Sequence, residues 1–98
     1  MKNIIILAQA EKDIATSTLW MSKNFSHEYS LKVRSEIFLK IDKINWQSVL
    51  HAKVYREFRK VLIRKYKYSI FYKIKNDDIY IYAVLSQKQD IMNILNKR

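Results

Sequence analysis

The residues best suited to chemistry in this sequence are lysines and arginines gathered in one stretch. Between His51 and Lys75 the chain carries nine of them against one acid, Glu57, so this stretch holds +8 of the chain's net charge of +10. The nine are Lys53, Arg56, Arg59, Lys60, Arg64, Lys65, Lys67, Lys73 and Lys75. Charge of one sign over so short a stretch attracts phosphate groups or acidic protein segments, and added salt weakens the attraction. The sequence therefore predicts a surface that binds an anionic partner.

The arginines are the best binding candidates, because a guanidinium group donates paired hydrogen bonds that match the oxygens of carboxylate and phosphate. The residues that we expect to contact a partner are Arg56, Arg59, Arg64, Lys65, Lys67 and Lys88. Ordinary amphipathic strands also alternate basic and apolar residues, so a merely solvated face is the alternative explanation. The clustering of the charge favours binding.

The composition excludes several kinds of site. The chain has no cysteine, which excludes disulfides, thiolate metal sites and cysteine nucleophiles. It has no glycine, which phosphate-binding loops, dinucleotide fingerprints and nucleophile elbows need where the backbone turns sharply. His27 and His51 lack the spacing of metal ligands, so we expect no metal and no cofactor. Without glycine or proline, tight turns are expected at Asn24, Asn45, Asn76, Asp77 and Asp78.

The basic stretch has the apolar pattern of an antiparallel meander. Over residues 66–74, tyrosine and isoleucine alternate with mostly polar residues, which predicts a half-buried strand. Residues 76–78 supply a turn, and residues 79–85 return as a strand that is apolar on both faces and therefore central. Residues 55–63 are also strand-like, so the meander has at least three strands.

The first half of the chain predicts a strand followed by two helices. Residues 3–8 are apolar and suit a buried strand. Residues 10–23 suit a helix with acids early and a lysine late, and Trp20 is expected to anchor its packing. Residues 26–44 suit a second helix with a serine cap, and its apolar stripe is Tyr29, Val33, Ile37, Ile41 and Ile44. A loop is expected over residues 45–53.

The last residues suit a short helix lined on one side by Ile91, Ile94 and Leu95, with a charged end that frays. The predicted fold class is therefore α+β: an N-terminal strand, a helical hairpin, an antiparallel sheet of three or more strands and a short C-terminal helix. The length suits one domain over residues 1–98. The apolar run at residues 4–8 is too short for a signal peptide and no stretch approaches a membrane span, so we expect a soluble, cytoplasmic protein.

This order of elements, and above all the sequence of residues 59–90, resembles the RelE/ParE superfamily of type II toxin-antitoxin toxins. The matching residues are Ala10, Asp13, Ile14 and Trp20 in the first helix, then 61–64, 68–74 and 79–85, and finally Gln87, Lys88 and Asp90. The resemblance covers nearly the whole chain and implies a RelE/ParE-like fold. It also implies an acidic, partly disordered antitoxin as partner.

The superfamily has two branches that differ in chemistry. Toxins similar to RelE cut messenger RNA on the ribosome without a metal, using lysines and arginines to stabilise the developing charge and a further side chain to transfer a proton. Toxins similar to ParE instead poison DNA gyrase by binding it. The first branch implies Lys60, Arg64 and Lys65 as catalytic residues, whereas the second implies the target- or antitoxin-binding residues named above.

The nuclease residues are poorly kept in this sequence. Lys60 matches one strand lysine, but Leu62 stands in place of the second and Ser69 in place of an arginine. Gln89 replaces the arginine after the last strand, and no tyrosine or histidine follows Tyr82. We therefore expect a protein that inhibits gyrase or topoisomerase by binding. A ribosome-dependent endoribonuclease and a plain nucleic-acid-binding module remain the alternatives.

Overall fold

The computed structural model of the chain describes residues 3–47 and 51–98, and it confirms the predicted α+β order. The elements are β1 (Ile4–Ile6), α1 (Ala8–Asn24), α2 (His27–Gln47), β2 (Lys53–Tyr55), β3 (Phe58–Ile63), β4 (Tyr68–Lys75), β5 (Asp78–Ser86) and α3 (Ile91–Asn96). No helix within these residues combines the length and the apolar character that a membrane crossing needs.

The five strands form one sheet in the order β1-β5-β4-β3-β2, in which β1 runs parallel to β5 and the other neighbours are antiparallel. β5 is an interior strand, as its apolar character predicted. β4 was expected to be half-buried, but Ser69 and Phe71 on its polar face are 0% and 1% exposed. That expectation was wrong because α3 covers this face. The first strand is half-buried rather than buried, because it lies at the edge of the sheet.

Helices cover both faces of the sheet, but unequally. The first face, under α1 and α2, contains Ile70, Tyr72, Ile79, Ile81 and Val84. The second face, under α3, contains Phe58, Phe71, Ala83 and Leu85, and α3 adds Leu95 to this cluster. The predicted stripe on α2 is confirmed by the burial of Val33, Ile37, Ile41 and Ile44. Because a six-residue helix is only about 9 Å long, α3 covers part of the second face and leaves the rest open.

Several predicted boundaries were wrong. The strand expected over residues 55–63 is two strands, because a turn at Arg56 and Glu57 reverses the chain between β2 and β3. The second helix continues to Gln47 and β2 begins at Lys53, so both ends of the loop expected over residues 45–53 were wrong. Residues 48–50 of that expected loop lie outside the described part of the chain. The serine cap is confirmed, since the backbone N–H of Tyr29 donates to Ser26 Oγ at 3.0 Å.

The turn residues were predicted correctly at one hairpin and wrongly elsewhere. Among the described residues, positive φ angles of 52°, 57°, 50° and 68° occur at Arg56, Lys67, Asn76 and Asp77. Asn76 and Asp77 form the two-residue β4–β5 turn, which needs positive φ at both positions. Asn45 lies within α2, Asn24 is the last residue of α1, and Asp78 is the first residue of β5 instead of a turn residue. In a chain without glycine, Arg56 and Lys67 take the left-handed conformation where the strand ends require it.

The end of the chain, expected to fray, is held by an ion pair that we call the Asp13–Arg98 clasp. Arg98 Nη1 and Nη2 donate to the two carboxylate oxygens of Asp13 at 2.8 and 3.0 Å, and Nη1 also donates to the carbonyl of Tyr82 at 2.9 Å. The N–H of Val84 donates to the same carboxylate at 3.0 Å. The two side chains are only 13% and 16% exposed. Paired, charge-assisted hydrogen bonds therefore join α1, β5 and the residues after α3.

Candidate partner-binding surfaces

The six predicted binding residues do not form one site. Arg56 lies in the β2–β3 turn, whereas Arg64, Lys65 and Lys67 lie in the β3–β4 turn. These turns lie at opposite ends of the six-residue strand β3, about 20 Å apart. Lys88 belongs with the β3–β4 turn, because the N–H of its neighbour Gln87 donates to the carbonyl of Lys67 at 3.0 Å. Four of the six residues therefore share one end of the sheet.

Arg59 differs from the other five because its guanidinium already bonds to the protein. Its Nη1 donates to the carbonyl of His51 at 2.7 Å, and the residue is half-buried. His51 Nδ1 in turn lies 3.0 Å from the hydroxyl of Tyr72, which is fully buried on the first face. Burial raises the pKa of Tyr72 to about 12, although the nearby Arg59 opposes the shift. Arg59 is therefore part of a partly buried polar network with His51 and Tyr72.

The end that carries Arg64, Lys65, Lys67 and Lys88 borders a cavity of about 760 Å³ that we call the aromatic groove. Its rings come from α1, the α1–α2 junction, α2, the β3–β4 turn and the start of β4, and they are Trp20, Phe25, Tyr29, Tyr66 and Tyr68. Successive ring centroids from Trp20 through Phe25 and Tyr29 to Tyr66 are 5.5, 5.3 and 5.7 Å apart. Trp20 is 54% exposed and Phe25 65% exposed. Trp20 is therefore part of an open apolar surface, and the expectation that it anchors the core was wrong.

Positive charge surrounds the aromatic groove. Lys67 and Lys88 line it, and Lys65 Nζ lies 5.4 Å from the ring centroid of Tyr66. No aspartate or glutamate is among the described residues that line it. Contiguous exposed apolar surface rimmed by polar residues is typical of protein-binding sites. An acidic segment with apolar anchors matches both the rings and the charges.

The opposite end of the second face carries a different arrangement, which we call the lysine–aromatic band. It consists of Tyr55, Arg56, Phe58, Lys73, Lys75, Tyr80 and Tyr82. Lys73 Nζ lies 4.3 Å from the ring centroid of Phe58 and 4.8 Å from that of Tyr82. Lys75 Nζ donates to the hydroxyl of Tyr82 at 2.9 Å, and this hydrogen bond raises the pKa of Lys75. Each of these ammonium groups is thus held by aromatic rings.

A β-bulge explains the position of Tyr82. Ala83 pairs with Phe71 and Ile81 pairs with Tyr72, so Tyr82 is the additional residue in β5. The bulge places Tyr82 beside Ala83 in the second-face cluster. Lys73 and Lys75 were not among the six predicted binding residues. Both were counted among the nine basic residues of the stretch. Their pairing with rings was indicated only by two tyrosines with the same spacing in the returning strand.

The one acid of the basic stretch is neutralised locally. Lys53 Nζ lies 2.8 Å from Glu57 Oε2, and this hydrogen bond holds the pKa of Glu57 below its usual value. The charges of Lys53, Arg59 and Lys73 add to the effect. Because Glu57 is bonded to Lys53, it does not form an ion pair with the lysines of the band.

The residues implied for a nuclease are dispersed. In the pairing of β3 with β4, Leu62 lies opposite Ser69 and Lys60 lies opposite Phe71. Ser69, where a nuclease of the RelE branch has an arginine, is fully buried, and its hydroxyl has no hydrogen-bond partner among the described residues. Arg64 and Lys65 lie beyond the strand, in the β3–β4 turn.

Neither the residue after the last strand nor the acidic and histidine side chains favour nuclease or metal chemistry. Gln89, in place of an arginine, accepts a hydrogen bond from the N–H of Ser86 at 2.8 Å. Within residues 3–47 and 51–98, no cluster of histidine, aspartate or glutamate side chains has the arrangement of a metal site.

The sequence and the fold were each compared with those of known proteins. No protein-family model and no curated protein sequence matches the chain. A chain of the chromosomal ParDE TA system from P. aeruginosa superposes with a TM-score of 0.75 at 16% identity, over 86% of this chain and 94% of that one. The isolated E. coli RelE toxin superposes with a TM-score of 0.61 at 12% identity, over 100% of this chain and 98% of that one. The chain has the RelE/ParE fold, which confirms the fold that the sequence resemblance implied.

Proposed function

We propose that this chain is the toxin of a toxin–antitoxin pair, and that it inhibits DNA gyrase or topoisomerase in the cytoplasm by binding. The observation that carries the proposal is the fold, which it shares with a chain of a ParDE TA system and with a RelE toxin. The ParDE chain has the higher TM-score, 0.75 against 0.61, although the RelE toxin superposes over more of this chain, 100% against 86%. In the ParE branch the toxin acts by binding its target.

The dispersal of the nuclease residues supports binding over cleavage. Stabilising a developing phosphorane charge requires several cationic groups within hydrogen-bond distance of one phosphate. Lys60 lies on the second face, whereas Arg64 and Lys65 lie in a turn beyond it. The buried Ser69 offers no cation at all. A cationic turn at the end of the sheet suits a protein target with acidic residues, to which Arg64 and Lys65 would bind.

The aromatic groove supports an antitoxin as the second partner. An acidic, disordered segment becomes ordered when apolar side chains enter a pocket that excludes water. The rings of Trp20, Phe25 and Tyr29 supply that apolar surface, and Lys67 and Lys88 supply the opposite charge. The partner would thereby cover the end of the molecule that includes the β3–β4 turn.

The test is controlled expression in a bacterial host, with labelled thymidine and labelled methionine incorporation followed over the first minutes. We expect DNA synthesis to fail first while translation continues, and purified gyrase to lose supercoiling activity when the protein is added. Earlier failure of translation would overturn the gyrase assignment and favour a ribosome-dependent endoribonuclease.

A matched pair of variants locates the binding residues. The double variant Arg64→Gln, Lys65→Gln removes two charges from the β3–β4 turn, and we expect it to abolish growth inhibition without unfolding the protein. The control Lys12→Gln, Lys43→Gln removes two charges from exposed positions on α1 and α2 and is expected to remain toxic. Equal toxicity of both variants would exclude the turn as the target-binding element.

A further inference from the structure

We propose that the lysine–aromatic band binds the phosphodiester backbone of a single-stranded nucleic acid, at a site separate from the aromatic groove. The band is not used by the proposed gyrase and antitoxin contacts, which lie at the opposite end of the sheet. The proposal therefore holds or fails independently of the toxin function.

The band presents cations in a regular row. Lys73 and Lys75 are two residues apart on β4, so their side chains emerge on the same face roughly 7 Å apart. Arg56, in the β2–β3 turn at the same end of the sheet, adds a third cation and lies 5.1 Å from the ring centroid of Tyr55. A polymer with one negative charge per repeat can contact such a row at successive phosphates.

Two carboxylates lie near this row: Asp78 is opposite Lys75 in the neighbouring strand, and the charge of Lys73 helps to lower the pKa of Glu57. Neither Lys73 nor Lys75 forms a salt bridge with any carboxylate among residues 3–47 and 51–98. Aromatic rings hold them instead, and a ring attracts an ammonium group without neutralising it. Lys73 is fixed between Phe58 and Tyr82, so binding an anion requires little further loss of side-chain entropy.

The shape of the band favours a polynucleotide over an acidic protein segment. A protein segment that folds on binding derives most of its affinity from side chains that enter pockets. The band lines neither the aromatic groove nor the cavity of about 480 Å³ between α2 and the β3–β4 turn. Single-stranded nucleic acid needs only a cationic track with aromatic side chains beside it. The half-buried Tyr80 and Tyr82 hold the lysines with their rings, and their hydroxyls can bond to sugar or phosphate.

The experiment is fluorescence anisotropy of the purified protein with labelled oligouridylate and oligothymidylate of about 15 nucleotides, near the upper end of the site sizes of single-strand-binding domains. We expect the double variant Lys73→Gln, Lys75→Gln to weaken binding roughly tenfold and to reduce the slope of log K against log salt by about 1.4, as for two lost phosphate contacts. Circular dichroism checks folding, and Lys75→Gln alone, an exposed position, is expected to reduce the slope by about half as much.

Two controls make the result decisive. The variant Lys12→Gln, Lys43→Gln carries the same net charge, and a loss equal to that of the band variant would overturn the proposal by showing only general attraction to a basic protein. Effective competition by polyglutamate would also overturn it, since the site would then accept acidic protein. Tighter binding of oligouridylate or of oligothymidylate identifies RNA or DNA as the ligand, and equal binding identifies the shared backbone; either result supports the proposal.

Discussion

The aromatic groove and the lysine–aromatic band are built from the same residue types but use them in opposite ways. In the groove the rings of Trp20, Phe25 and Tyr29 contact one another and remain open to solvent, while the lysines stand at the rim. In the band, Lys73 and Lys75 lie against the rings themselves. The groove therefore offers apolar surface, and the band offers positioned charge.

This difference shows that a tyrosine or phenylalanine near a lysine does not by itself define a kind of surface. The kind of surface depends on whether another ring or an ammonium group lies against the aromatic ring. In the groove the helices bring ring beside ring, whereas in the band strand pairing and one β-bulge bring lysine beside ring. Substitutions that remove a ring, a charge or a titrating hydroxyl test how far the two regions differ.

The largest expected effect is on stability, from truncating one ring in each region. Phe58 is 1% exposed, so Phe58→Ala should lower the free energy of unfolding by about 4 kcal/mol and release Lys73. Phe25 is 65% exposed, so Phe25→Ala should change it by less than about 0.5 kcal/mol. Urea unfolding measures both values. Similar losses would mean that the two regions are not built differently.

The next effect comes from the clasp that joins α1, which lines the groove, to the residues after α3. Asp13→Asn keeps the side-chain shape but leaves the mostly buried guanidinium of Arg98 without a counter-charge, which should cost on the order of 3 kcal/mol. Hydrogen exchange should then rise in α3. Adding Arg98→Met to this variant should recover part of the loss, because the unpaired charge is gone. Strictly additive losses would contradict coupling between the two residues.

The smallest effect concerns Tyr72, a ring that belongs to neither region and is fully buried. Burial raises the pKa of Tyr72 from 10.0 to about 12, so the unfolded chain loses this proton first as the pH rises. The resulting stabilisation is complete below pH 10 and should be lost between pH 10 and 12, by on the order of 2 kcal/mol. Urea unfolding of the natural protein and of Tyr72→Phe at pH 8 and about pH 11 isolates this contribution. An identical fall in both proteins would rule it out.

Much of the fold could be predicted because it depends on short-range patterns. The stripe from Val33 to Ile44 follows helical spacing, and the turn at Asn76 and Asp77 follows from residues that tolerate positive φ. Where two such signals competed, prediction failed. Asn45 suited a turn, but the helix continues past it, since Ile44 is buried in the core.

The candidate surfaces were harder to predict because each combines distant parts of the chain. Trp20 and Tyr66 meet in the groove only after α1 packs beside the β3–β4 turn. Lys73 meets Phe58 and Tyr82 only in one strand register, and the bulge that sets Tyr82 in place has no signature in the sequence. The charge of the stretch is evident from the sequence, but the sequence could not show that the cations divide between the two ends of the sheet.

The parallel pairing of β1 with β5 and the Asp13–Arg98 clasp also determine when the protein can assemble during translation. Ile4 pairs with Ile79, and Asp13 meets Arg98 across 85 positions of the chain. A nascent chain therefore has no partner for its first strand until β5 has left the ribosome, and no clasp until residue 98 has followed. Contacts of such long sequence separation form late and slowly. The sheet and the clasp are therefore completed only after most of these 98 residues have been synthesised.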